Sequence, residues 1–480
     1  MLRRLQLTQQ LLEEVETDES VSLELKLEVI NIYTSSKNDH QNQSTKIKHQ
    51  IMTRYSIALT ALLSTTITPH FATAADPWSY LSVDIPVALS DMAVTTMTYT
   101  TDGGNSTTAA AASDVKKKII LTGGCVSEKG NEYLGEYFAC LELTNKAFSF
   151  EPIAPKTQFQ AWTGTFAALP DMPRERNRHG SFQVNNNLCV VGGRDTADNL
   201  VAAIDCYDPT TNVWTEVGSL PEKYLTSDFA SYTLEDKVYI IGGYNQGYEA
   251  LSQVIVMDMS NMDDTITFEE GVPIDTPRGD IFAVPVDDES TIMISGGFTH
   301  LNDFAKPLDS VEQYEIGSDS WEPVDALNEE RGDKQLINLN GKIYAIGGEG
   351  KVDSGPGITV DDPLVVLAGG SIVLDTVEVL DITADGDAEW VTKGDMPASL
   401  FRFGASGWVE EGSDDGVIFV FGGQVGFEAE CECFRTTEKV MVFNPSQSKV
   451  LGQSAPSAGV AISVVVGHVV AAAAIVMMLA

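Results

Sequence analysis

Few residues of this chain could do chemistry. Four arginines, Arg178, Arg278, Arg331 and Arg402, stand just ahead of short strand patterns. A guanidinium grips a carboxylate through two parallel hydrogen bonds, so a ring of such arginines would clamp an acidic group or an acidic peptide. The same side chains would serve equally as ion-pair partners inside their own segments. His179 and His300 are the histidines between residues 78 and 452, and they sit in different settings, one entering a strand and one in a loop. Cys431-Glu432-Cys433 reads as a local disulfide, a weak metal site or two free thiols; without further ligands it makes no zinc centre. Asn105-Ser106-Thr107 is a glycan acceptor in a Gly/Ser/Thr/Ala-rich loop over 101–113.

The elements that must position these residues repeat. Six apolar runs each stop at a diglycine: Gly123-Gly124, Gly192-Gly193, Gly242-Gly243, Gly296-Gly297, Gly347-Gly348 and Gly422-Gly423. A signature recurring about every fifty residues means a repeat architecture. Each unit holds a short strand, a polar turn such as Leu339-Asn340-Gly341-Lys342, the apolar strand, a variable loop, and an alternating strand such as Thr376-Val377-Glu378-Val379-Leu380-Asp381. An outer aromatic follows, Trp214, Phe268, Trp321 or Trp390, and then often Leu-Pro or Met-Pro. A continuous apolar run suits a strand buried on both faces, and the spaced aromatic suits packing between neighbouring units.

With its diglycines and spaced tryptophans, the chain resembles the kelch-repeat β-propellers over roughly residues 78–452. The resemblance implies an all-β fold, a six-bladed propeller of four-stranded antiparallel blades. Trp78-Ser79-Tyr80 through Ile85-Pro86 looks like the outer-strand segment that starts at Trp214, yet it precedes the first repeat, while the last repeat lacks an outer Trp. The N-terminal strand is therefore expected to complete the last blade and remove an open edge. By repeat position Cys189 and Cys206 fall on hairpin neighbours, and Cys125 and Cys140 on nearly the same places one repeat earlier. Two intra-blade disulfides are expected, with buried free thiols as the other reading.

Two enzyme types on this scaffold can be weighed. Copper-radical oxidases resembling galactose oxidase need two His, two Tyr and a crosslinked Cys around one metal, and His179 with His300 leaves that set incomplete. Sialic-acid mutarotases of this family use acidic and Arg residues at the channel mouth, which asks only for a positioned acid/base and a charge clamp. Arg-Gly-Asp occurs twice, at Arg278–Asp280 and Arg331–Asp333, at one repeat position, so shared repeat ancestry explains it better than adhesion. Propeller loops carry binding. The loops with Tyr244, Gln246 and Tyr248, with His300, Asn302 and Phe304, and over 349–371 belong to consecutive blades and are expected to line one binding face.

The ends add location. Residues 1–51 are a polar extension that precedes Met52, the alternative initiator; 52–75 read as a secretory signal peptide; 76–453 form the propeller; 454–480 are an uncharged apolar tail, read as a GPI signal or a membrane span. The formal net charge is −39, and the excess acid lies within the repeats. That argues against nucleic acid and favours basic partners, with solvated acidic loops as the plainer reading. The reading is a binding scaffold on the secretory route, anchored at the cell surface by its tail, without cofactor or metal, recognising a protein or glycan; the alternative is a secreted carbohydrate-active enzyme resembling the sialic-acid mutarotases.

Overall fold

The computed structural model describes residues 77–447 apart from 101–114, 127–130, 135–136, 158–159, 263, 287–289, 300–305, 352–370, 384–387, 394, 414 and 429–432. Six four-stranded antiparallel sheets follow one another in chain order. Blade 1 contains Ala93–Thr100, Val115–Thr122, Ala147–Ile153 and Thr163–Ala168; blade 2 contains Gly180–Val184, Asn187–Val191, Ala203–Asp208 and Val213–Ser219. Blade 3 contains Ala230–Leu234, Lys237–Ile241, Val254–Asp258 and Thr267–Glu270; blade 4 contains Ala283–Pro285, Thr291–Ser295, Val311–Glu315 and Glu322–Val324. Blade 5 contains Gln335–Leu339, Lys342–Lys351, Ser371–Asp381 and Val391–Lys393. Blade 6 takes Gly404–Val409, Gly416–Phe421 and Val440–Phe443 from the end of the domain, and its outer strand is Trp78–Tyr80, with Trp78 opposite Phe443. The expected closure by the N-terminal strand is thus what the fold contains.

The diglycines explain how the blades are held at a fixed angle. All twelve glycines have positive φ, between 53° and 106°. A Cβ on the first glycine of each pair would lie only 2.2 to 2.7 Å from a carbonyl oxygen of the next blade's entry segment. The amide of the second glycine donates to that same carbonyl: Gly124 to Arg176, Gly193 to Thr226, Gly243 to Arg278, Gly297 to Arg331, Gly348 to Leu400, and Gly423 to Leu89, at 2.8–3.1 Å. The signature is therefore an inter-blade clasp, and the sixth clasp joins blade 6 to blade 1. Only a residue without a side chain fits so close an approach.

Apolar packing fills the wedges between blades. The second strand of each blade is buried, for example Val238, Ile240 and Ile241 in blade 3. Outer tryptophans bind backward by one blade: the indole N–H of Trp214 donates to Pro170 O, that of Trp321 to Val272 O and that of Trp390 to Asp325 O, each at 2.9–3.0 Å. Buried indoles need such a partner, and here it also fixes the linker between blades.

Candidate functional site

Each innermost strand begins at the central channel, and a residue two or three positions before it occupies the same unusual conformation in all six blades. Asp91, Arg178, Asp228, Asp280, Asp333 and Arg402 all have φ between 50° and 57°. Their amides pass hydrogen bonds around the channel: Arg402 to Asp333 O, Asp91 to Arg402 O, Arg178 to Asp91 O, Asp228 to Arg178 O and Asp280 to Asp228 O, at 2.8–3.1 Å. The left-handed conformation, tolerated by Asp but costly for Arg, turns the chain from the linker into the channel wall. The result is a six-membered ring of four carboxylates and two guanidiniums. It forms one end of a cavity of about 690 Å³, lined by one stretch of each innermost strand. The cavity runs toward the opposite face, where Lys117 and Asn340 are exposed.

The four arginines singled out in the sequence divide between two registers. Arg178 and Arg402 stand on the ring. Arg278 and Arg331 lie two residues before it, aligned with Arg176, and are fully buried inside their blades. Arg278 pairs with Glu312 at 2.5 Å and donates to Gly296 O and Ser310 O; Arg331 pairs with Glu378 at 2.7 Å and donates to Gly347 O and Thr376 O. Arg176 does the same with Asp205, Gly192 O and Ala203 O. These three arginines tie the linker to the second and third strands. The two Arg-Gly-Asp triplets follow from this plan: the Arg is an internal strut, the Asp joins the ring, and the Gly lies beneath an aromatic ring of the preceding blade. A Cβ on Gly279 would meet Tyr244 at 2.2 Å, and one on Gly332 would meet Phe298 at 2.1 Å.

The ring side chains form two unlike arcs. In blades 6, 1 and 2, charges alternate: Arg402 Nε lies 3.0 Å from Asp333 and 3.8 Å from Asp91, and Arg178 Nε lies 3.2 Å from Asp91 and 3.6 Å from Asp228. Burial opposes the charge on Arg402, yet Asp333 and Asp91 hold its pKa above the ordinary arginine value. In blades 3, 4 and 5 three carboxylates stand in a row. Burial, then the Asp333 and Asp228 carboxylates, push Asp280 well above the usual carboxylate range, and it shares a hydrogen bond with Asp333. The Tyr244 hydroxyl donates to Asp280 Oδ2 at 2.8 Å. The next residue, Lys334, is fully buried, donates to Ser295 O, and is brought down to about 7 by burial and then by Arg331 and Arg278. His179 is a neutral strut: burial and Arg176 lower its pKa, and its Nε2 lies 3.0 Å from Thr122 Oγ1. The four ring aspartates were missed in the sequence, although a small or polar residue before Asp recurs at Ser90-Asp91, Ser227-Asp228, Gly279-Asp280 and Gly332-Asp333.

Among the described residues, the loops after the diglycines of blades 2 and 3 are complete. Those of blades 2 and 3 are copies: Asp195 and Asn245 accept backbone amides two and four residues on, and Asp198 and Tyr248 both adopt φ near 60°. Gln246 is exposed but bound to its neighbour, receiving Leu200 N and donating to Asp198 O. The Tyr248 hydroxyl donates to Asp198 Oδ1 at 2.7 Å, and its ring lies 3.6 Å from the Arg194 guanidinium. Tyr244 is buried, whereas Gln246 and Tyr248 reach the surface. His300, Asn302, Phe304, Asn105 and Cys431 lie outside the described residues, as do 352–370 and the two ends of the chain.

Both expected cysteine pairs are disulfides, but in inequivalent places. Cys189 and Cys206 are opposite each other on adjacent strands of blade 2, within its core. Cys125 follows its diglycine and joins Cys140 on the hairpin Asn131–Leu134/Tyr137–Cys140, so that bond lies in the loop face. This hairpin pairs with Cys433–Thr436 of blade 6, itself paired with Gln424–Glu428, to make a further four-stranded sheet. Cys433 thus enters a strand, with its backbone opposite Glu132.

Comparison with known proteins agrees with this geometry. The model of the Kelch motif matches residues 175–221, which is blade 2 with its entry segment. The chain is 29% identical over 210 residues to Kelch-like protein 40 of Mus musculus, covering 43% of this chain and 32% of the relative. It is 28% identical over 176 residues to beta-scruin of Limulus polyphemus, covering 34% of this chain and 19% of the relative. It therefore spans about a third or less of the length of these curated relatives. The solved structure of YjhT superposes with a TM-score of 0.50 at 12% identity, covering 76% of this chain and 97% of that one, a likeness of fold.

Proposed function

Since this chain is a kelch-repeat β-propeller, we propose that it is a non-catalytic binding scaffold that recognises a protein or glycan partner through its loop face. One observation carries the reading: among the described residues, the loops after the diglycines of blades 2 and 3 and the added sheet of blades 1 and 6 extend from the diglycine ends of the blades, while Glu235-Asp236 makes a tight turn at the other end of blade 3. Long loops on a rigid frame are where binding is placed. The arginines proposed for contact reduce to Arg178 and Arg402, since Arg278 and Arg331 are consumed by buried carboxylates. Gln246, exposed, and Tyr248, half-buried, are the contact candidates, with His300, Asn302 and Phe304 proposed beside them from sequence.

The scaffold is proposed to act on the secretory route, held at the membrane by residues 454–480, with Asn105 glycosylated. The two disulfides support an oxidising compartment. Release of the mature chain by a phosphatidylinositol-specific phospholipase would identify a lipid anchor; retention would favour a span.

The test of recognition uses the full chain, labelled, against cell surfaces and a glycan array. A Gln246→Ala/Tyr248→Ala variant should bind at least tenfold more weakly, and a turn-face Glu235→Lys/Asp236→Lys variant should not. The reverse pattern would overturn the assignment of the face. The ring favours one second reading, a carbohydrate-active enzyme resembling sialic-acid mutarotases, because burial and the Asp333 and Asp228 carboxylates raise the proton affinity of Asp280, with the Arg178 guanidinium nearby. An anomerisation assay tests it, and no rate enhancement on sialic acid would sink it.

A further inference from the structure

The channel cavity has a charged floor and neutral walls. The floor is the ring, where Arg178 and Arg402 are already paired with Asp91, Asp228 and Asp333. Among the described residues, none of the loops after the diglycines lines the cavity, and its other end reaches Lys117 and Asn340, both exposed. Above the floor the described lining holds no carboxylate and one ammonium. That ammonium, of Lys117, donates to Val409 O at 2.9 Å and lies over the Trp408 ring.

The walls have two unlike sides. Blades 6, 1, 2 and 3 present hydroxyls. Thr95 and Ser181 share one bond of 2.5 Å, and Thr96 and Ser406 share another of 2.5 Å. A hydroxyl donates once and accepts twice, so each pair keeps capacity that its shared bond does not use. Ser231 of blade 3 adds a hydroxyl with no protein partner among the described residues, and Thr95, Thr96, Ser181 and Ser231 are all half-buried along the cavity they line. Blades 4 and 5 present carbon instead, from Ala283, Pro285 and Ile337, also half-buried. The amides that join them there already donate to backbone, Gln335 to Phe403 O and Asn338 to Pro285 O. We propose that the channel binds a neutral cyclic polyol, of which a hexose is the type, admitted from the end opposite the ring. Such a molecule has hydroxyls around its rim, for the side made by blades 6, 1, 2 and 3, and C–H groups on its faces, for the side made by blades 4 and 5. An ionised ligand would lose water to a wall without a free counter-charge, which is costly. A cavity of about 690 Å³ falls in the range of small-molecule sites, which pair apolar lining with a few placed polar groups.

The test is a calorimetric titration of the full chain with glucose, galactose and mannose, each set against its uronate and its 2-amino sugar. One neutral hexose should bind at least tenfold more tightly than both of its charged counterparts. Ala283→Phe, which fills the channel, and Ser231→Ala, which deletes the unshared hydroxyl, should each remove at least tenfold of that affinity. If Ala283→Phe fails to fold, Ser231→Ala and the charged counterparts still decide. Absence of binding by all three hexoses, or a uronate or amino sugar as tight as its hexose, would overturn the proposal. So would a hexose whose affinity survives in the folded variants, since that sugar would be bound elsewhere, the loop face included. Loop-face recognition is read separately, on cell surfaces, and either result can fail without the other.

Discussion

The two arcs of the channel ring share one backbone and differ in everything else. Asp333, Arg402, Asp91, Arg178 and Asp228 form a run of alternating charge, whereas Asp228, Asp280 and Asp333 form a run of one sign. Both arcs have the same left-handed φ, and ring amide-to-carbonyl bonds run from Asp333 through Arg402, Asp91, Arg178 and Asp228 to Asp280. The backbone therefore decides where each side chain stands, and the side chain alone decides the local chemistry. In the alternating arc, charge is compensated by charge. In the acidic arc, burial and the crowded carboxylates raise the proton affinity of Asp280.

The largest break in this comparison should come from the alternating arc. Arg402→Met leaves Asp333 and Asp91 buried beside no cation in blade 6, and losing one partner of a buried pair costs about 3–5 kcal/mol. Urea unfolding should show that loss; a change under about 1 kcal/mol would mean the arc is not held by its charges.

A change of intermediate size, and of opposite sign, is expected from Asp280→Asn. Asp280 keeps its proton in the folded chain while the unfolded carboxyl loses it near its ordinary value of 3.8. The folded state then binds more protons, so this group makes wild-type stability fall as pH rises from about 4 toward the raised folded value. The Asn variant should lack that fall, and its advantage should widen with pH in a series of melts. A parallel pH profile for both proteins would place an ionised Asp280 in the ring.

Lys334 sharpens the same arc from the other side. Its ordinary value of 10.5 drops to about 7 in the fold, so between these limits the unfolded chain binds the extra proton and stability rises with pH. Lys334→Met should flatten the profile above neutrality and leave the acid side unchanged. The smallest effect belongs to Tyr244→Phe, which deletes the hydroxyl donated to Asp280 and should cost about 1 kcal/mol in thermal unfolding.

What could be read from the sequence follows from what repeats. Gly-Gly recurs because the clasp admits no Cβ in any blade, so six blades, their order and the strand Trp78–Tyr80 that completes the sixth were legible. The arginines misled because their identity repeats in two registers: Arg278 and Arg331 align with Arg176, and only pairing with Glu312, Glu378 and Asp205 tells a strut from a ring residue. The ring aspartates were hidden for a related reason. Asp is common in turns, and nothing local distinguishes Asp280, in the left-handed conformation beside another carboxyl, from a solvated loop acid. The cysteine pairs were legible as pairs, but Cys125 follows its diglycine where Cys189 precedes one, and that offset moves the bond from a blade to the loop face.

The added sheet over blades 1 and 6 has a mechanical consequence. A closed ring of blades can only spread where its two chain ends meet, and there this protein has fasteners of different kinds, among them the outer strand Trp78–Tyr80, the clasp from Gly423 to Leu89, the Asp91 amide on Arg402 O, and the pairing of Phe434 with Asn131. Trimming the N-terminal strand would expose the edge at Val440–Phe443 yet leave the annulus shut. Its diameter, and with it the spacing of the six channel residues, would survive the loss of the segment that completes the fold.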